Sequence, residues 1–469
     1  MRFSKMIAAA TLAALSSTSM AQSLRPDQAA FRDLYKELVE TNTTQSSGSC
    51  TLAAERMAAR LKAAGYSDSD ITLFATPEKP KDGGLVAILK GTSKTAKPIL
   101  LLAHIDVVEA RREDWVRDPF TLIEEDGYFY ARGASDDKSQ AAIWTDAMIR
   151  FKKEGFKPKR TVKLALTCGE ESVGAFNGAE WLAKNKPDLI AAEFALNEGG
   201  GGRLDASGKK QLLAMQVGEK TVQNYRLETT NPGGHSSVPR PDNAIYSLTA
   251  AVTKVGQYEF PVQFNDTTKT FFKRTAELTG GDMGKAINAL LANPNDAAAN
   301  AIVSKDVTFH STLRTTCVAT MLDAGHAMNA LPQRARAVVN CRIFPGVSVD
   351  AVKADLERVI GDSSVSVTKI EPIRPPALPT PLSPKVFGPA EKLAAKHFPG
   401  VPMVPIMVTG GTDAPYLSLA GIPTYGMPGI FQQLEGSGVH GLNERISVKA
   451  LYEGRDYLFD LAKIYANQD

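Results

Sequence analysis

Short, almost uninterrupted apolar runs alternate with stretches of helical period over the first half of the chain. Apolar positions recur at helical spacing over 28–40 and 50–64, which predicts two helices, with Gly65 as the C-cap of the second. Runs of strand length follow at 84–90, 99–103, 161–167 and 194–196, and a helical pattern over 138–151 falls among them. A strand that is apolar at nearly every position is buried on both faces. The order therefore predicts an α/β sheet covered by helices on both sides.

The pattern changes near residue 219. Residues 221–230 alternate like a half-exposed strand, 243–255 read as a helix, and 317–321 and 335–344 read as two further strands. A helix over 349–360 and a strand over 363–370 complete a β-α-β-β-α-β order, which predicts a small ferredoxin-like α+β sandwich inserted into the larger domain. The proline-rich stretch 373–384 marks the return, and a helix at 389–396 with strands at 404–408 and 424–427 completes the first domain. Residues 257–313 exceed what the sandwich needs. They are rich in Ala and Asn with weak periodicity and are read as a mostly helical elaboration of the insert.

Composition narrows the class without naming a chemistry. The 469 residues are 43% apolar and 22% charged, enough for about two to three domains with full cores. A net charge of +3 gives no electrostatic reason to expect a nucleic-acid partner. Lys152-Lys153 and the basic residues of 157–160 are read as solvated helix-end charges, His310, His326 and His397 as surface or satisfied polar groups, and Trp115, Trp144 and Trp181 as packing aromatics.

The start of the chain reads as an export signal over 1–21. Arg2 and Lys5 precede an apolar run over 7–15, and Ser19-Met20-Ala21 is a small-x-small cleavage pattern with Gln22 as the mature start. The alternative is a disordered cytosolic N-terminus. No later run is long enough to span a bilayer, so the expected location is periplasmic or secreted. The four cysteines, Cys50, Cys168, Cys317 and Cys341, match no zinc-finger or CxxC spacing. Cys317 and Cys341 fall on neighbouring predicted strands, where a disulfide and two buried thiols are both open readings. Cys168, inside an apolar strand, is expected to be a small core residue.

Chemistry concentrates where the apolar runs end. Leu100-Leu101-Leu102-Ala103 leads into His104-Ile105-Asp106, where a carboxylate two residues on can take the second ring N–H of a ligating imidazole. Gly133-Ala134-Ser135-Asp136-Asp137 is a glycine-led turn into a helix, which is also a good N-cap. Leu164-Ala165-Leu166-Thr167-Cys168-Gly169 runs into Glu170-Glu171, and Phe194-Ala195-Leu196-Asn197 runs into Glu198 and a glycine run. His440 sits in a glycine-rich loop. Adjacent buried carboxylates are costly unless cations or protons neutralise them. Two histidines and three carboxylates suit two zinc ions with one carboxylate bridging, and sites of this kind form at the strand ends of α/β sheets.

The ordered set His104-x-Asp106, Gly-Ala-Ser-Asp136-Asp-Lys, Glu170-Glu171, Asn-Glu198-Gly-Gly and His440 resembles the M20 family of zinc-dependent exopeptidases and amidohydrolases. The resemblance implies a phosphorylase/hydrolase-like α/β/α catalytic domain over 22–218 and 374–469, with a lid or dimerisation domain over 219–373. It implies two Zn2+ ions, with Co2+ or Mn2+ suited to the same ligands. Asp136 would bridge both ions, His104 and Glu198 would complete one site, and Glu171 and His440 the other. Asp106 would orient His104, and Glu170 would be the general base. In the insert, Asn231-Pro232-Gly233-Gly234-His235 resembles the motif whose His stabilises the oxyanion. By the same resemblance Asn329 and Arg342 would bind substrate, Arg342 through a free carboxylate, and Gly411 and Thr412 would line the pocket. Residues 313–332 look most like the Gly-x carboxypeptidase and N-acyl-amino-acid hydrolase branch. Ser139 departs from the glycine common in the family at that position.

The resulting expectation is an exported di-zinc hydrolase of an amide next to a free carboxylate, acting as a carboxypeptidase or dipeptidase. The alternative is an N-acyl-amino-acid amidohydrolase, and a third reading is a non-catalytic peptide-binding module. The partners expected are a small peptide or N-acyl amino acid, with no nucleic acid, no membrane span, and a homodimer through the lid domain.

Overall fold

The computed structural model describes residues 24–172, 176–427, 429–433 and 437–468. The expected export signal over 1–21 lies outside the described residues. A ten-stranded mixed sheet forms the frame of the larger part. Its order is Ile71–Thr76, Lys79–Leu89, Val162–Thr167, Ile99–His104, Phe194–Asn197, Thr424–Gly426, Lys210–Glu219, Gly201–Leu204 and Phe431–Gln432, with Met403–Val408 pairing Lys210–Glu219 off this path.

Three parallel strands carry the middle of that sheet. Ile99–His104 pairs with Val162–Thr167 on one side, opposing His104 to Thr167, and with Phe194–Asn197 on the other, opposing Leu101 to Leu196. All six residues of Ile99–His104 are buried. Leu101 and Ala103 enter a core shared with helices Pro26–Val39, Cys50–Ala63, Lys138–Lys153 and Val448–Ala466, whereas Leu100 and Leu102 enter a separate core with Leu182 and Ile190. One strand thus feeds apolar layers on both faces, as its unbroken hydrophobicity requires.

Strand Lys210–Glu219 continues into Thr221–Thr230 with only Lys220 between them, carrying the chain into a second, four-stranded antiparallel sheet. Its order is Thr316–Ala324, Arg334–Ile343, Thr221–Thr230 and Val365–Lys369. Tyr225 and Leu227 project from alternate positions into a core with Leu248 and Val255 of helix Ala244–Gln257 and Val352 and Leu356 of helix Val349–Ile360. The alternation of 221–230 reflects helices on one face only.

Two local expectations change, the extent of one helix and the state of Cys168. The helix placed at 389–396 spans Pro384–His397 and contains Pro389. Pro384 suits the first turn, and Pro389 leaves the carbonyl of Lys385 without its helical donor. Gln468 Nε2 donates to that carbonyl at 3.0 Å. Residues 257–313 are helical, with helices Asp266–Thr279, Gly281–Ala292, Ala297–Val303 and Val307–Thr312 sharing their own core around Phe272, Ile287 and Leu290. The first of them docks on strand Met403–Val408 of the large sheet, and its Arg274 pairs with Glu391 of helix Pro384–His397 at 2.9 Å. Cys168 is not a free core thiol. It forms a disulfide with Cys50 at the start of helix Cys50–Ala63, with the Cα atoms 6.0 Å apart across a sequence separation of 118. Cys317 and Cys341, directly opposed in the small sheet, form the second disulfide.

Candidate functional site

Parallel alignment brings three strand ends to one edge of the large sheet. His104 ends its strand, Glu170 and Glu171 follow the neighbouring strand, and Glu198 follows the other. Asp136 arrives from the turn before helix Lys138–Lys153. Gly133 has φ +79° there, and a Cβ on it would meet Val107 at 2.5 Å, so only glycine lets the turn approach so closely. His440 arrives from the loop before strand Arg445–Ser447 and itself has φ +58°, a left-handed backbone unusual for histidine.

The donor atoms converge. His104 Nε2 lies 3.2 Å from Asp136 Oδ1 and 3.7 Å from Glu198 Oε1. His440 Nε2 lies 3.2 Å from Asp136 Oδ2 and 2.9 Å from Glu171 Oε1. Asp136 thus offers one oxygen to each histidine. Ligand atoms of His104, Asp136 and Glu171 lie within 4.8 Å of one another, and so do those of His104, Glu170 and Glu198.

Asp106 behaves differently from the expected partner of His104. Its backbone carbonyl is 3.1 Å from His104 Nδ1, closer than its carboxylate at 3.6 Å. The carboxylate accepts the backbone N–H groups of Glu171 at 3.0 Å and of Glu170 at 3.4 Å. One residue therefore holds the ring through Nδ1, leaving Nε2 toward the carboxylates, and also fixes the glutamate pair.

Electrostatics agree with a cation site. Burial pushes the Glu170 carboxyl well above the usual carboxylate range; His104 opposes that, while Asp413, Glu171 and Asp106 add to it. Burial does the same to Glu198, again against His104 and with Glu170, Asp136 and Asp137 adding to it. Burial also raises Asp136, but hydrogen bonds from His104 and His440 outweigh it and hold this carboxyl below its ordinary value. Hydrogen bonds to Asp136 and Glu171 raise His440 to about 10. Among the described residues no Lys or Arg lies within 4.0 Å of the carboxylates of Asp106, Asp136, Glu171 or Glu198. Imidazole and carboxylate donors crowded in this way fit divalent cations, which would neutralise them.

Two clefts meet the cluster. One, of about 290 Å³, is lined by Glu170, Glu171 and His440 together with Arg342, Gly411 and Thr412. The other, of about 400 Å³, runs from Asp136 and Glu198 along Gly199–Gly202 to Ile406 and Val408. The expected substrate residues Arg342, Gly411 and Thr412 thus share a cavity with the acid cluster. His235 and Asn329 do not line it. Both are exposed, His235 on a short pairing of Gly234–His235 with Ala330–Leu331 and Asn329 in the turn just before it, and His235 Nδ1 takes the backbone N–H of Ser237 at 3.1 Å.

The sequence reading missed the supports of the site. Glu444, fully buried, accepts from Arg132 at 2.6 Å and from the backbone N–H groups of Gly133, Ser135 and Asp136 at 3.0, 2.7 and 3.0 Å. Asp413 accepts from Asn177 at 2.7 Å and from Thr167 at 3.2 Å beside the Glu170 strand end. A lone acid beside a glycine loop and an arginine in a distant turn were the only signals for the first of these.

Residues 100–464 match the family model described as Peptidase family M20/M25/M40. The chain is 29% identical to a "Probable carboxypeptidase S-like 2" of Dictyostelium discoideum, covering 81% of this chain and 74% of that one. It is 28% identical to the N-fatty-acyl-amino acid synthase/hydrolase PM20D1 of Homo sapiens, covering 83% of this chain and 78% of that one. Its fold resembles the M20 family metallo-carboxypeptidase Sso-CP2 from Sulfolobus solfataricus, with TM-score 0.70, 18% identity, and coverage of 94% of this chain and all of the other.

Proposed function

The chain belongs to peptidase family M20/M25/M40, as a hydrolytic enzyme of the carboxypeptidase, dipeptidase and aminoacylase kind, and we propose that it cleaves an amide next to a free carboxylate with two divalent cations bound at the acid cluster. The observation that carries this reading is Asp136, whose two oxygens face His104 and His440 separately. His104, Asp136 and Glu198 would hold one cation, and His440, Asp136 and Glu171 the other. Zinc is the metal proposed, with cobalt and manganese suited to the same donors. Bound there, the cations would supply Lewis-acid chemistry for an amide carbonyl and for water.

The chain's own residues do the rest. Glu170 takes the proton of the attacking water and passes it to the leaving amine. Its buried carboxyl, held high, suits a group that must carry a proton midway through the cycle. Arg342 takes the substrate carboxylate in the cavity it shares with Glu170. Residues 219–373 act as the lid. His235 and Asn329 reach the substrate when that lid moves or when a second subunit supplies them. A homodimer through this lid is supported by Val318, Met321 and Leu322, exposed on its edge strand Thr316–Ala324. Export is supported by two disulfides, which persist in oxidising compartments.

A dipeptide is the first substrate proposed. The second reading, an N-acyl amino acid, is favoured by the cleft running from Glu198 past Ile406 and Val408, which offers apolar wall to an acyl group. The test is a panel of dipeptides and N-acyl amino acids with metal-loaded protein, read by amine release. Glu170→Gln should lose about 10²–10⁴-fold in kcat while keeping its metal. Unchanged turnover would remove Glu170 from the reaction.

A further inference from the structure

The cavity that holds Arg342 contains more positive charge than one carboxylate needs. Lys220 and Arg374 line it as well. Among the described residues, none of the three has a carboxylate within 4.0 Å. Their partners are neutral: Lys220 Nζ donates to Ser311 Oγ at 3.4 Å, Arg342 to Asn340 Oδ1 at 3.2 Å and Thr409 O at 3.4 Å, and Arg374 to Tyr416 Oη at 2.9 Å.

Two of the three carboxylates on the same walls are already engaged, and the third, Glu170, is the proposed base at the acid cluster. Glu219 accepts from Thr412 at 2.7 and 3.1 Å and from Gln216 at 3.0 Å, and Glu171 faces His440. Lys220 is the most telling of the three because it is only 1% exposed. Burial, with Arg342 and Arg314 nearby, brings its ammonium down to about 7. A buried cation without a counter-charge is destabilising, and an incoming anion would relieve that cost.

We propose that the cavity takes a leaving amino acid carrying a second carboxylate, an aspartate or glutamate, whose α-carboxylate lies at Arg342 and whose side-chain carboxylate lies between Lys220 and Arg374. The inference rests on the reading that Arg342 receives the carboxylate of the leaving half. A neutral side chain would leave Lys220 and Arg374 desolvated and uncompensated, whereas an acidic one forms charge-assisted hydrogen bonds to both. The cavity thereby selects for charge rather than for apolar bulk.

The test uses full-length, metal-loaded protein and isosteric pairs: N-acetyl-glutamate against N-acetyl-glutamine, and N-acetyl-aspartate against N-acetyl-asparagine. The acidic member is expected to have the higher kcat/KM by about ten-fold or more. Lys220→Met and Arg374→Gln should each collapse that ratio, and Lys220→Arg should retain it. A wild-type ratio at or below one, or a ratio unmoved by both neutralising variants, overturns the proposal. Calorimetric binding of free glutamate and glutamine provides a readout that needs no turnover. If no member of either pair is hydrolysed, the amide-hydrolase reading fails for these substrates, and glutamate binding no tighter than glutamine then overturns this inference separately.

Discussion

Glu444 holds Asp136 by its backbone: Oε1 accepts the Asp136 N–H at 3.0 Å, while Oε2 takes Arg132 at 2.6 Å. The carboxylate proposed to bridge two cations is thus set in place by another carboxylate that touches neither histidine. Glu444→Gln puts an amide N–H₂ against donors and leaves Arg132 buried without its counter-charge. Cation affinity is expected to fall about 10–100-fold, by titration against a chromophoric chelator. Stability should fall by about 3–5 kcal/mol in urea unfolding. Wild-type values for both would mean that the turn holds its shape without Glu444.

Asp136 and His440 should separate in a metal count. Asn at 136 keeps one neutral acceptor oxygen and no negative charge, so Asp136→Asn weakens both sites and should lose both tightly bound ions. His440→Ala leaves His104, Asp136 and Glu198 in place and should keep one. Elemental analysis after dialysis measures this, and two ions retained by both variants would argue against a shared carboxylate.

The Cys50–Cys168 disulfide ties helix Cys50–Ala63 to the strand end two residues before Glu170. Replacing both residues by alanine should cost about 2–5 kcal/mol of stability, since the bond closes a long loop. Urea unfolding without reductant compares the variant with wild type. Equal midpoints would show that the link adds nothing to the folded chain.

Glu219 carries a pH signature. Burial raises its carboxyl from an ordinary 4.5 to about 7, against hydrogen bonds from Thr412 and with Asp413 adding to it. From pH 4.5 to 7 the folded chain therefore holds a proton that the unfolded chain releases. This contribution is fully present below about 4.5 and is lost as the pH rises through 7. The difference in urea midpoint between pH 5 and pH 7 should be smaller for Glu219→Gln than for wild type. An identical difference would mean that Glu219 is ionised when folded.

The strand ends were legible because buried strands cannot hide their periodicity. His104, Glu170, Glu171 and Glu198 each follow an apolar run, and parallel pairing brings those ends together. The four-stranded sheet was legible for the complementary reason, since one helix-covered face leaves alternation in Thr221–Thr230. What escaped were relationships between distant single residues. Arg132 and Glu444 lie 312 positions apart, and Cys50 and Cys168 lie 118 apart, with nothing local to mark either pair. The helices within 257–313 were foreseen, but not their docking on Met403–Val408. That contact is made by single residues, such as Arg274 with the Met403 carbonyl and, on the adjoining strand, Thr267 with the Val217 carbonyl, rather than by any repeat in their sequence.

Lys220 alone joins the large sheet to the small one on the outward path, and the chain comes back through its proline-rich segment. There is no slack between the two strands. If the small sheet moves as the proposed lid, its outward hinge is Lys220, which is also a wall of the chamber beneath it. Opening of that proposed lid would then reposition the ammonium as well.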